Sequence, residues 1–112
     1  MQDSNCIFCK IINKQIPSDV VFEDDDILVI KDINPKAPIH YLIIPKEHIK
    51  NINDLEEKHS DLIWKMIKVA KKLASKLDGA PSFNLVSNNG KEAGQIVFHL
   101  HWHFLAGKNL GF

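Results

Sequence analysis

The chain has 112 residues, 45% of them hydrophobic, and its 14 basic and 14 acidic side chains cancel to a formal net charge of zero. That is enough apolar material for one compact domain over residues 1–112 and too little length for a second. A zero balance gives no basic footprint for a nucleic-acid backbone and no polybasic patch for a membrane surface, so the expected partner is a small molecule. No run approaches the ~20 apolar residues of a membrane span and no secretory leader pattern opens the chain, so a cytoplasmic protein is expected.

In chain order, Cys6-Ile7-Phe8-Cys9 comes first. In a reducing compartment this pair is not expected to form a structural disulfide. It reads as a thioredoxin-type redox pair or as half of a zinc site; the bulky apolar spacers disfavour the former, and the latter needs two further ligands. The histidines on offer are His40, His48, His59 and a group near the C-terminus. Cys6 to Ile12 has the spacing of a short helix, with Ile7, Phe8 and Ile11 on one stripe, and Pro17 prevents its continuation.

Val20 to Glu23 and Ile27 to Ile30 read as a hairpin around Asp24-Asp25-Asp26, whose adjacent carboxylates point apart and suit solvent better than a metal. Asp32-Ile33-Asn34-Pro35-Lys36-Ala37-Pro38 is a breaker-rich loop, and His40 to Ile44 is a third strand with His40 at its start. From Asn53 the period changes: Leu62, Met66, Val69, Ala70, Leu73 and Leu77 recur at steps of three and four, which predicts one amphipathic helix with Lys65, Lys68, Lys72 and Lys76 on its wet side. Asn53 with Glu56 is its expected cap, and Asp78-Gly79 its end. Phe83 to Ser87 is a fourth strand. The loop Asn88 to Gln95 either turns backbone N–H groups toward an anion or simply joins two strands.

The last element is the most informative. From Ile96 to Leu105 apolar and histidine positions alternate, which predicts a strand with one buried face and with His99, His101 and His103 in a row on the other, spaced at about 6.6–6.8 Å. A row of histidines is a solvated face, a metal chelate or a nucleophilic site. Metal-binding barrels of the cupin kind need a carboxylate and a further histidine downstream, which the nine residues after His103 lack. Barrels of the amidohydrolase kind need more than twice this length. The element order gives an α+β domain with a mainly antiparallel sheet of about five strands, one long helix and one short.

Asn88-x-Gly90, Gly94-Gln95 and His99-x-His101-x-His103-Phe104-Leu105 resemble the signature of the histidine triad superfamily. Cys6-Ile7-Phe8-Cys9-Lys10-Ile11-Ile12, Ile16-Pro17, Phe22-Glu23-Asp24-Asp25, Asp32-Ile33, Ala37-Pro38-x-His40 and Ile44-Pro45-Lys46-x-His48 are similar to its Hint branch. The resemblance implies a two-fold dimer that hydrolyses the phosphoramidate bond between a purine nucleoside monophosphate and an amine, through a nucleotidyl-histidine intermediate. It implies that His101 is the nucleophile, oriented by the backbone carbonyl of His99, that His103 donates to a phosphate oxygen or to the departing amine, and that His40 completes the histidine network.

It further implies that Asn88, Gln95 and the backbone around Gly94 hold phosphate oxygens and that Asp32 accepts from the ribose hydroxyls. Ile7, Phe8, Ile11, Ile16 and Ile30 would sandwich the base, with Ile33 and Ile96 at the nucleotide as well. No cofactor is required for catalysis; a structural zinc on Cys6, Cys9, His48 and His99 is implied for members that carry the cysteine pair. Two departures bear on specificity. Ile96 stands where many relatives have a small polar or acidic residue, and the segment after His103 is short. A dinucleoside polyphosphate hydrolase and a zinc-stabilised nucleotide-binding module without turnover remain alternatives.

Overall fold

The computed structural model describes residues 5–77 and 81–112. Its elements are α1 (Ile7–Ile12), β1 (Val20–Glu23), β2 (Ile27–Lys31), β3 (Ile39–Pro45), α2 (Ser60–Ala74), β4 (Phe83–Val86) and β5 (Trp102–Ala106), with single 3₁₀ turns at Ile52–Asp54, Glu57–His59 and Lys91–Ala93. The strands form one antiparallel sheet in the order β1-β2-β3-β5-β4, so the fold is α+β as expected. The β1–β2 turn is built by Asp24, whose Oδ1 accepts the N–H groups of Asp26 and Ile27 at 2.8 Å each. The acidic run thus makes a turn, not a metal loop.

Strand alternation divides the core in two. Ile27 and Val29 of β2, Ile43 of β3 and Trp102 and Phe104 of β5 pack with Met66, Val69, Ala70 and Leu73 of α2. Leu28, Ile30, Leu42 and Ile44 point the other way and pack with Phe8, Cys9, Ile11 and Ile12 of α1. Both faces of β2 and β3 are therefore covered, which is why these strands read as nearly continuous apolar runs. On α1 the buried stripe is Phe8, Cys9, Ile11 and Ile12, while Ile7 stays half-exposed.

Two expectations change. The long helix starts at Ser60, not Asn53, because the Asn51 side chain accepts the Asn53 N–H at 2.9 Å and closes a separate turn. A reciprocal capping box between Glu56 and His59, whose Nδ1 accepts the Glu56 N–H at 2.9 Å, closes the 3₁₀ turn Glu57–His59 just before the helix, and the helix's own N-cap, His59, makes no side-chain cap bond. The helix ends at Ala74; the expected stop at Asp78-Gly79 lies outside the described residues. The histidine strand also starts late, at Trp102. The His99 carbonyl is taken by the His101 ring and the Leu100 N–H by Ile49 O at 2.6 Å, so neither group joins a ladder. Residues 96–101 are irregular, and the two-residue alternation fails there: Ile96 is 87% exposed, yet His99 and Leu100 are buried side by side.

Candidate active site

β3 and β5 are neighbours in the sheet, with Leu42 opposite His103 and His40 opposite Leu105. Alternation turns His40 and His103 to the face that carries α1, where they open into a cleft of about 810 Å³. His101 reaches the same cleft from the irregular run just before β5.

The His101 ring is fixed on three sides. Its Nδ1–H donates to the His99 carbonyl at 2.7 Å, so the neutral ring leaves Nε2 without a proton. The Phe8 ring meets it edge-on at 5.0 Å between centroids, and the His103 ring stands at 5.2 Å. Burial depresses the His101 pKa against the raising effect of that carbonyl bond and of Asp32, which keeps the ring neutral and nucleophilic. His103 is pushed down to about 4, by burial first and then by the nearby His101 and His40. His40 is lowered as well, chiefly by burial. Its Nδ1 accepts the backbone N–H of Lys36 at 3.1 Å, and its Nε2 lies 2.8 Å from His103 Nδ1 and 3.4 Å from Asp32 Oδ2.

Beneath His101 a second group assembles. Cys6, the N-cap of α1, and Cys9 one turn on meet His48 and His99. His99 Nδ1 lies 3.3 Å from Cys6 Sγ, 3.5 Å from Cys9 Sγ and 3.1 Å from His48 Nδ1, and His48 Nδ1 lies 3.4 Å from Cys9 Sγ. A tetrahedral ion with ordinary zinc bond lengths would separate sulfur from nitrogen by about 3.6 Å and nitrogen from nitrogen by about 3.3 Å. The His99 Nε2–H donates to Pro45 O at 2.7 Å, which leaves Nδ1 bare as a ligand and orients the ring. Burial raises the Cys6 thiol to about 11, so a thiolate in this place calls for an adjacent cation. The four residues fit a metal ion.

Of the residues expected for catalysis and nucleotide binding, Ile7, Phe8, Ile11 and Ile30 line the cleft beside the histidines, as do Asp32 and Ile33 and, from the β4–β5 connection, Asn88, Gly94 and Ile96. Three do not. Ile16 packs into the α1 core. His99 is fully buried in the cysteine cluster rather than in a row with the other two. Gln95 is 3% exposed and spends its amide on the scaffold: Oε1 accepts from Asn51 Nδ2 and the Gly90 N–H, while Nε2 donates to Lys50 O and Val97 O.

The loop around Gln95 closes on itself in the same way. The N–H groups of Gly90, Ala93, Gly94 and Gln95 all have partners within it, so they form no anion cradle. Gly90 and Gly94 take φ of +100° and +90° to make this turn, a region that disfavours other residues. The cleft also recruits Leu42, Val97, Lys36, Leu110 and Phe112, which the sequence reading missed. Leu42, two residues beyond His40 on one strand face, was accessible to the alternation rule. Leu110 and Phe112 carry no such signal.

The site is thus a buried neutral imidazole with a bare nitrogen at an apolar cleft, with the His40–His103 pair beside it. The family model described as "Scavenger mRNA decapping enzyme C-term binding" matches residues 5–111. The purine nucleoside phosphoramidase of Escherichia coli K12 is 42% identical over 106 residues, covering 94% of this chain and 89% of that protein. The adenylylsulfatase HINT1 of Arabidopsis thaliana is 41% identical over 110 residues, covering 96% of this chain and 75% of that protein. A solved HIT family hydrolase from Clostridium thermocellum superposes with a TM-score of 0.93 at 46% identity, covering 98% of this chain and 96% of that one. The chain belongs to the histidine triad family.

Proposed function

We propose that the chain hydrolyses the P–N bond of purine nucleoside 5′-monophosphates conjugated to amines. The observation that carries the reading is the bare Nε2 of His101, held by the 2.7 Å bond from Nδ1–H to His99 O and facing the cleft. Nε2 attacks the α-phosphorus, the P–N bond breaks and the amine leaves; water then cleaves the nucleotidyl-histidine and restores the ring. An uncharged nucleophile avoids the repulsion that an anion would meet at a phosphate. His103, beside His101, donates to the phosphoryl group as charge develops. The base sits among Ile7, Phe8, Ile11 and Ile30, and the ribose hydroxyls donate to Asp32. The similarity to a purine nucleoside phosphoramidase and to an adenylylsulfatase supports a nucleotide hydrolase.

The reading includes a structural zinc on Cys6, Cys9, His48 and His99, supported by the tetrahedral spacing of the donors. Such a closed set supplies cross-linking of α1 to the segments that carry His48 and His99. Buried cysteines gathered with two histidines rather than joined in a disulfide suit a reducing compartment, the cytoplasm. A two-fold dimer completes it, with the sheet edge at β4, where Phe83 and Leu85 are partly exposed, as the surface that a second copy would cover.

The test is release of a fluorescent amine from an adenosine 5′-phosphoramidate by the parent chain and by His101→Ala. Release by the parent alone supports the reading. No release by a folded parent that binds adenosine monophosphate would sink it and favour a polyphosphate substrate or a binding role.

A further inference from the structure

The loop between β2 and β3 grips His40 from three directions. The Asp32 N–H donates to the His40 carbonyl at 3.0 Å, the Lys36 N–H donates to the His40 ring at Nδ1 at 3.1 Å, and Asp32 Oδ2 lies 3.4 Å from Nε2. A backbone amide can only donate, so Nδ1 of His40 is bare and the ring proton sits on Nε2. Asp32 favours the same end of the ring by attraction. The 2.8 Å contact between His40 Nε2 and His103 Nδ1 holds one proton, and that proton belongs to His40. His103 Nδ1 is therefore an acceptor, and its own proton sits on Nε2.

From this geometry we infer that the Lys36 amide and His40 form a tautomer relay that fixes His103 as a neutral Nε2–H donor, one that hydrogen-bonds the phosphoryl group without giving up its proton. The inference rests on the function proposed above and assigns His103 one of the two roles open to it. Giving up Nε2–H would leave the His40–His103 pair with one proton between two rings, and hence one imidazolate. Taking up an extra proton would place it either on His40 Nδ1, against the Lys36 N–H, or on His103 Nδ1, against the His40 N–H. Neither change fits the bonds in place. The proton that the amine gains as the P–N bond breaks comes from water, and the hydroxide left behind is the equivalent that cleaves the nucleotidyl-histidine in the second step. The titratable groups that face His103 are His40 from β3, His101 from the run before β5, and Asp32 and Lys36 from the gripping loop; only Asp32 favours a cation there, and burial opposes it. Lys36 and His40 are positioning residues, since they act through His103.

The relay is tested by imidazole nitrogen–proton correlation spectra of the full ¹⁵N-labelled chain, with and without adenosine monophosphate, from pH 5.5 to 8. The expected result is a single Nε2–H tautomer for both His40 and His103 throughout. A doubly protonated His103 at pH 7, or an Nδ1–H tautomer in either ring, would overturn it. His40→Gln, which can still donate near the Nε2 position, is expected to keep the His103 tautomer and kcat within about threefold. His40→Leu is expected to give a mixture of tautomers and to lower kcat about 10- to 100-fold, with KM within about twofold. An unchanged tautomer in His40→Leu would contradict the relay. Lys36→Pro, which removes the amide proton, against Lys36→Ala, which keeps it, repeats the test without altering the His40 side chain. The spectra need no turnover, so a parent that gives the expected spectra but releases no amine would refute the phosphoramidase reading and leave the relay standing.

Discussion

Two clusters of ligating side chains lie on either side of His101: Cys6, Cys9, His48 and His99, and Asp32, His40 and His103. In both, the donor atoms fall within 4.8 Å of one another, so distance alone makes each a metal site. The second nitrogen of each histidine separates them. His99 gives Nε2–H to Pro45 O and turns a bare Nδ1 to the two sulfurs, whereas the Lys36 N–H occupies Nδ1 of His40 and forces the proton onto the very nitrogen that would bind a metal. The contact between His40 and His103 is a 2.8 Å hydrogen bond, shorter than the ~3.3 Å between two nitrogen ligands on one tetrahedral ion. What a histidine cluster does is decided by the backbone groups behind it.

The largest effect tests the residue between the clusters. His101→Ala removes the proposed nucleophile while both clusters remain, and kcat is expected to fall at least ~10³-fold with metal content unchanged, as read by amine release and elemental analysis. Next, Cys9→Ser breaks the first cluster alone. Bound zinc is expected to drop below stoichiometric, and the chain to lose on the order of 3 kcal/mol, a fall of roughly 10 °C in Tm. A chelator should destabilise the parent and not the variant. Asp32→Asn, its counterpart in the second cluster, should leave zinc content at the parent level.

A smaller effect is the pH dependence that the second cluster shares with His99, whose pKa burial also lowers to about 4. His103 is held at about 4 and His40 is lowered, both by burial, against an ordinary value of 6.5. Between those values the unfolded chain binds more protons than the folded one, so stability is complete above pH 6.5 and is lost as pH falls toward 4. Denaturation midpoints measured across this range should decline, and His103→Gln should flatten the slope. A flat profile in the parent would contradict neutral burial of the pair. Smallest is Gly107→Ala: at φ +92° an added Cβ would stand 3.0 Å from Pro38 Cβ, pressing on the loop that grips His40. A loss of about 1–2 kcal/mol and a modest fall in kcat are expected, without loss of zinc.

Much of this was legible in the sequence. The 3.6-residue period located α2 because it has one dominant buried face, short apolar runs bounded by turn signals located β2 and β3 because both their faces are covered, and the Cys6/Cys9 pair with His48 and His99 was recoverable through resemblance. Residues 96–101 misled because a histidine ring can satisfy a backbone carbonyl locally, as His101 does for His99, and so remove that carbonyl from a ladder while the alternation of residue types persists. Gln95 misled because a polar side chain in a glycine-rich loop serves a ligand or its own loop equally well by type; here four hydrogen bonds turn it inward. The Lys36 amide was invisible because it is backbone, and every residue but proline has one.

The central claim is that His101 Nε2 makes a covalent bond to phosphorus. The most direct measurement is intact-mass and peptide mapping of the parent chain, quenched in base within milliseconds of mixing with an adenosine 5′-phosphoramidate, alongside His101→Ala. One nucleotidyl group on His101 in the parent, and none in the variant, is the predicted result. An adduct on another residue, or turnover of substrate by the His101→Ala chain at the parent rate, would contradict it.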